Sequence, residues 1–324
     1  MGLGCFVSPG KSLDDAVERV RLAEELGFEA AYTTHINGRD SLTVLAAYAL
    51  ATSRIRVGTG VVPIYTRTPA TMAQTAATLA ELSGERLTLG LGVSHRPVVE
   101  GWHGQTIDKP VSEIREYVAL VRAIVGGTEI PQDTVKWKTM MPLSGVGPYP
   151  DLPIYIAGLS PKMLRTAGEI ADGVILWLCN PAYIRDVVVP EVRAGREAAG
   201  KSLDGFDIVA AVPGALVDDT AEAHAAMRRD LLPYFGLPFY RAMIERSGFG
   251  DSIAAYDAGA AQGDPEAMKA GIATSFLDAL CAIGDEDAVR GGVERYLDAG
   301  ATSPCIGPIA KSDFAGTLRA AAPR

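Results

Sequence analysis

The feature that most limits what this chain can fold into is a repeated alternation of short apolar segments with longer capped amphipathic ones. Residues 2–7, 29–35, 55–62, 86–94, 152–157, 172–178, 206–212 and 304–309 read as strands. The segments between them read as helices. In the first, Leu13, Val17, Val20 and Ala23 fall on one face, Ser12 is the natural cap with Asp15 three residues on, and Gly27 marks the stop. Helices over 42–51, 72–82, 111–125, 161–171, 181–199, 285–299 and 312–319 continue the pattern, with loops at 95–110 and 126–151. Eight strand candidates alternating with helices are the count of a (β/α)8 TIM barrel. Residues 218–284 have helical character and no strand signal, so they predict a helical insertion between strand 7 and strand 8, placed to cap the mouth of a single domain spanning 1–324. A doubly wound sheet would need GxGxxG opening a helix after the first strand. Gly90-Leu91-Gly92 instead lies inside the fourth strand and lacks the third glycine.

Composition removes several function classes. The chain is 48% hydrophobic and 21% charged, without a long polar tract, as expected of a soluble globular protein with a sizeable core. A net charge of −9 without a basic patch argues against nucleic acid and anionic membranes as partners. The longest apolar run, 174–179, is far short of a membrane span. Cys5, Cys179, Cys281 and Cys305 are scattered without CxxC spacing, which fits a reducing cytoplasm better than a disulfide framework or a zinc site. The expected partners are a small-molecule substrate and a second copy of the chain in a homodimer.

Strand ends are where parallel barrels keep their chemistry, and the fourth strand carries the most of it. Leu87, Leu89, Leu91 and Val93 alternate with small residues and run into Ser94, His95 and Arg96. His35 ends the second strand and would share that rim with His95. Both imidazoles suit general acid or base work, and both could equally be hydrogen-bonded loop residues. His103, in a Gly-rich loop, and His224, on an exposed helix, look less special. Neither acids nor cysteines join His35 and His95, so no metal site is expected. Nor is there a GxSxG elbow. A rim with proton donors and no nucleophile points to a cofactor that carries the hard chemistry. Gly158-Leu159-Ser160-Pro161 marks a helix N-terminus directly after a strand, either an anion site or an ordinary capped turn.

These residues resemble the bacterial luciferase-like superfamily, and within it the branch that uses the deazaflavin coenzyme F420. The resemblance runs from the first strand to about Ile309. It rests on Val57-Gly58-Thr59-Gly60-Val61-Val62-Pro63 followed by Arg67-Thr68-Pro69-Ala70, on Leu89-Gly90-Leu91-Gly92-Val93-Ser94-His95, and on Ile154-Tyr155-Ile156-Ala157-Gly158 with Ala167-Gly168 and Ala171-Asp172-Gly173. It implies a ring bound over the C-terminal mouth and backed by a bulge in strand three, with a cis peptide at Gly60-Val61. It also implies cofactor contacts at Thr34, Gly60, Val61, Gly92, Ser94 and Trp177, and a phosphate at Ala157, Gly158, Leu159 and Ser160. A bulky residue at Gly60 is then expected to disturb cofactor binding more than stability.

In relatives that oxidise alcohols or sugar phosphates, an aspartate-histidine pair ends strand two and a glutamate often follows strand four. Here the corresponding residues are Thr34-His35 and, at about the glutamate's place, His95, so both acids are missing. The expected activity is hydride transfer from reduced F420 to an activated C=C or C=N bond, with His35 the first candidate proton donor and His95 its rival or partner. The alternatives are an FMN-dependent monooxygenase of the same fold, and a barrel without catalytic activity.

Overall fold

The computed structural model describes residues 2–8 and 10–323, and its strands all run parallel. They are β1 (Gly4–Phe6), β2 (Ala30–Thr33), β3 (Arg56–Thr59), β4 (Val62–Pro63), β5 (Leu87–Gly92), β6 (Ile154–Ala157), β7 (Gly173–Leu176), β8 (Asp207–Leu216), β9 (Ala282–Gly284) and β10 (Ser303–Pro308). β10 pairs with β1 through Cys305 and Gly4, and with β8 through Cys305 and Ala211, so the sheet closes into a ring. β3 and β4 together occupy one place in it, and β9 lies outside it on the end of β8, which leaves eight places, as a TIM barrel has.

The helices stand where their caps put them. Ser12 and Asp15 form a reciprocal capping box for helix Leu13–Glu25, and Ser160 accepts from the Met163 N–H at the start of Pro161–Ile170. Strands such as β2 and β7 are buried throughout, because side chains on one face fill the lumen and those on the other pack under the helices. Ala30, Tyr32, Tyr155, Ile175, Val209 and Cys305 fill the lumen. At the N-terminal end it is closed by Asp207, which accepts from Tyr155 Oη at 2.9 Å and Thr302 Oγ1 at 2.5 Å.

Strand three is interrupted where the sequence reads a continuous segment over 55–62. Gly58 pairs with Thr88 but Val62 pairs with Leu91, so four residues on one side face three on the other, which is a β-bulge. Thr59 bridges the gap: its hydroxyl donates to the Gly90 carbonyl (2.7 Å) and accepts from the Gly90 N–H (2.9 Å). The Gly60–Val61 peptide within the bulge is cis.

Two further expectations are corrected. The 218–284 segment contains a strand, β9, too short to show as a run and formed because Ala282–Gly284 lies along the far end of β8. Residues 95–110 include a helix, Arg96–Gly101, begun by Pro97 in its first turn. At Gly60 a Cβ would lie 2.5 Å from Phe6 Cε1 and 3.5 Å from Tyr32 Cβ, so a bulky residue there would also strike the lumen packing and cost stability.

Among the described residues, no helix is long and apolar enough to cross a membrane, and the cysteines are unpaired and buried.

The bulge makes Gly90 the tightest point of the ring, because a Cβ there would lie 1.9 Å from the Thr59 carbonyl oxygen. Gly90→Ala should cost about 3 kcal/mol or more in urea unfolding. Gly291→Ala, in a helix with open space around the added carbon, should be neutral or stabilise by up to ~1 kcal/mol. Equal effects would show that the bulge does not constrain the barrel.

Candidate active site

Along the C-terminal ends of the strands burial gives way within one or two residues. Thr33 and Leu176 are buried, while Thr34 is exposed and Gly60, Val61, Ser94, His95, Ala157 and Trp177 are half-buried. These residues form a shallow cup. Its floor is small and apolar across three adjacent strand places: a Cβ added to Gly92 would lie 2.7 Å from Val61 Cγ2 and 3.2 Å from Ala157 Cβ, so Val61, Gly92 and Ala157 lie side by side. Two residues on the rim have left-handed backbone, Ser94 (φ 56°) and the fully buried Leu178 (φ 63°). A bulky non-glycine residue in that region is an outlier, and such outliers cluster at functional sites.

His35 leaves β2 and turns back against the next helix, Ser41–Ala51. The Ser41 N–H, one of the first-turn donors without an intrahelical acceptor, donates to His35 Nδ1 at 3.3 Å, and the Ser41 hydroxyl lies 3.0 Å from the same nitrogen. With Nδ1 accepting, the hydrogen-bond network assigns the neutral ring's proton to Nε2. Asp40, the cap of that helix, comes back to within 3.5 Å of Nδ1. A carboxylate therefore does accompany His35, supplied five residues along the chain and not by its sequence neighbour.

Asp40 is already engaged. Its Oδ2 accepts from the Thr43 N–H (2.9 Å) and the Thr43 hydroxyl (2.7 Å), and its Oδ1 accepts from Arg67 Nη2 (2.6 Å). Burial works against its ionisation, but these bonds together hold its carboxyl below the ordinary range. For His35, burial is the largest influence and pushes the imidazole below its usual value. Asp40 opposes this, while Arg67 and His103 add to it.

His35, Asp40 and Arg67 open onto a cleft of about 390 Å³ that is also lined by Ile36, Trp102 and His103. Ile36 and Trp102, 55% and 66% exposed, add apolar surface to its lining. The His103 Nε2 is buried and has no hydrogen-bond partner among the described residues. Sequence reading set His103 aside, took Arg67 only as part of a family motif, and gave no role to Trp102 or Asp40.

His95 is elsewhere on the rim. It packs against Tyr240 (ring centroids 5.5 Å) and Tyr234 (6.2 Å), and Tyr234 in turn packs on Trp177 (6.1 Å). Both tyrosines come from helices of the 218–284 segment, Thr220–Phe235 and Pro238–Arg246, which thus lie against the ends of β5 and β7. Burial in this aromatic box also pushes His95 below its ordinary value. His224, expected on an exposed helix, is 9% exposed, with Nε2 3.2 Å from Asp278 Oδ1. No group of three or more His, Cys, Asp or Glu side chains among the described residues is arranged to hold a metal ion.

After β6, the Tyr183 hydroxyl donates to the Leu159 carbonyl at 2.9 Å and the Ser160 hydroxyl caps the following helix. Neither the Leu159 nor the Ser160 N–H donates to another backbone group among the described residues. This turn therefore offers backbone donors at a helix N-terminus beside the Val61–Gly92–Ala157 floor.

The chain is similar to known proteins over most of its length. The family model described as luciferase-like monooxygenase matches residues 2–303. A Mycobacterium tuberculosis protein provisionally named a coenzyme F420-dependent oxidoreductase is 32% identical over 88% of this chain and 88% of its own. The 5,10-methylenetetrahydromethanopterin reductase of Methanolobus tindarius is 31% identical over 95% and 94%. The solved coenzyme F420-dependent tetrahydromethanopterin reductase of Methanopyrus kandleri superposes with a TM-score of 0.82 at 26% identity, covering 98% of this chain and 96% of that one.

The two rim histidines carry the first prediction for this site. Both should titrate below the ordinary histidine value of about 6.5 in an NMR pH series. Because the unfolded chain then binds more protons than the folded one, stability should fall as pH drops from near 6.5 toward the folded values, and flatten below them. Titration of His35 above 6.5 would mean that Asp40 dominates its environment.

Proposed function

Since the chain belongs to the luciferase-like monooxygenase family, we propose that it is a coenzyme F420-dependent oxidoreductase that reduces an activated C=C or C=N bond of a small organic substrate. The observation that carries this reading is the orientation of His35. With Nδ1 accepting from Ser41, the ring presents Nε2–H outward as a donor. An alcohol dehydrogenase needs the opposite, a bare nitrogen to take the hydroxyl proton.

The cup fits a planar tricyclic ring because its floor of Val61, Gly92 and Ala157 is apolar and has no protruding side chain. In this reading these three residues and the Gly60 backbone support the ring, Thr34 and Ser94 meet its polar edge, and Trp177 walls one side. Gly158, Leu159 and Ser160 take the phosphate, with Ala157 at the foot of that turn. When bound, the reduced deazaflavin supplies a hydride from the carbon that replaces the reactive flavin nitrogen. The chain's own work is to orient the substrate in the cleft between Trp102 and His35 and to handle one proton. Negative charge arising beside the reduced carbon is stabilised by a hydrogen bond from the His35 Nε2–H, and His35 quenches it with a proton when the ring is the imidazolium, which the transfer leaves neutral. His95, held by Tyr234 and Tyr240, is the second candidate. The 218–284 segment caps this mouth, and the chain works as a cytoplasmic homodimer.

The family also contains FMN-dependent monooxygenases, and binding separates the two readings. The protein should quench F420 fluorescence with higher affinity than it binds FMN; the reverse order would favour the monooxygenase.

His35→Ala should lower turnover by about 10²- to 10⁴-fold, with F420 affinity within a few-fold of the parent. If the imidazolium is the donor, kcat/KM for reduction should fall as pH rises, with its midpoint below 6.5, the direction set by burial of His35. Near-full turnover in His35→Ala and loss in His95→Ala would transfer the role to His95.

A further inference from the structure

The groups that face His35 come from three elements: Asp40 and Ser41 from its own loop and the following helix, Arg67 from the loop after β4, and His103 from the segment after helix Arg96–Gly101. Among these, Asp40 and Arg67 stand in a relation that the proton-donor role does not itself require. Asp40 has one oxygen, Oδ2, fully used by Thr43. The other, Oδ1, lies 2.6 Å from Arg67 Nη2 and 3.5 Å from His35 Nδ1. The guanidinium and the imidazole thus face the same oxygen, and the guanidinium holds it.

A shift of that oxygen by about half an ångström would bring it within the ~2.7–3.0 Å of a charge-assisted bond to Nδ1. The Nδ1 position would then carry a proton, the Ser41 N–H would lose its acceptor, and the neutral ring would present a bare Nε2 to the cleft. The same histidine can therefore be a donor or a base, depending on which cation holds Asp40 Oδ1.

We propose that Arg67 is a positioning residue that sets the tautomer of His35: by clamping Asp40 it keeps that carboxylate from taking up an Nδ1–H, and so holds the neutral ring's proton at Nε2 as a hydrogen-bond donor facing the cleft. This rests on the donor reading of His35 and adds the residue that enforces it. Arg67 sets the tautomer through Asp40, while its own charge disfavours the imidazolium and so keeps the ring neutral. The clamp is firmly seated, because Arg67's carbonyl accepts from the Tyr117 hydroxyl at 3.0 Å and its side chain is only 22% exposed.

The test reads the tautomer directly, by ¹⁵N NMR of histidine-labelled full-length protein, with the His35 signals assigned by their loss in His35→Asn. The parent should show a neutral ring protonated at Nε2. Arg67→Met should move the neutral ring's proton to Nδ1. Arg67→Lys, which keeps the charge, should stay near the parent, and Asp40→Asn added to Arg67→Met should restore the parent pattern, since asparagine still caps the helix. If Arg67→Met does not fold, Arg67→Gln carries the same expectation. An unchanged tautomer in the folded Arg67 variant overturns the clamp and leaves the donor reading intact. An Nδ1–H tautomer in the parent overturns the donor reading itself. A change of tautomer that persists in the Asp40→Asn background shows that Arg67 does not act through Asp40 and also overturns the proposal.

Discussion

The hydroxyl of Thr59 holds the site's geometry together. One extra residue between β3 and β4 breaks the ladder to β5, and the broken stretch would leave both polar groups of Gly90 without partners inside a closed ring, where unpaired groups are costly. A single side chain satisfies both. The bulge that it stabilises turns Val61 onto the floor beside Gly92 and sends the chain on through Pro63 to Arg67, which reaches across to Asp40. The floor of the cup and the electrostatics of His35 thus both descend from the same local defect in the sheet.

The barrel was legible because its signals are local. Caps such as Ser12 and Ser160 act within three residues, and strands buried on both faces read as apolar runs wherever they lie. What escaped the sequence depends on contacts made at a distance. The missing acid of the Asp–His pair was sought next to His35, whereas the loop folds Asp40 back from the following helix cap. His103 and Trp102 gain meaning only because helix Arg96–Gly101 delivers them to the cleft of His35. His224 looks exposed on a helix with no strand beside it, but burial against the segment around Asp278 is a tertiary fact. The bulge was expected from resemblance alone; periodicity read straight through it, because Gly60 and Val61 keep the alternation of a regular strand.

The two histidines that the sequence ranked together end in different environments. His35 is in a polar cleft with a fixed hydrogen-bond partner on one nitrogen, so its neutral form has one defined function. His95 is enclosed by Tyr234 and Tyr240 and has aromatic faces around it, which disfavour charge by burial without choosing a tautomer. Position at a strand end was enough to bring both to the rim, and only their neighbours distinguish a histidine in a polar cleft from one packed among aromatic rings. Asp40 stands at an arginine-held helix cap and not beside the histidine in sequence, and this leaves Nδ1 to accept from Ser41.

The most direct test of this account is a crystal structure of the protein with coenzyme F420 bound. The account predicts the ring lying on Val61, Gly92 and Ala157, the phosphate at Gly158, Leu159 and Ser160, and the His35 Nε2 on the side of the ring where the cleft opens. A ring seated away from that floor, or a phosphate held at another turn, would contradict it.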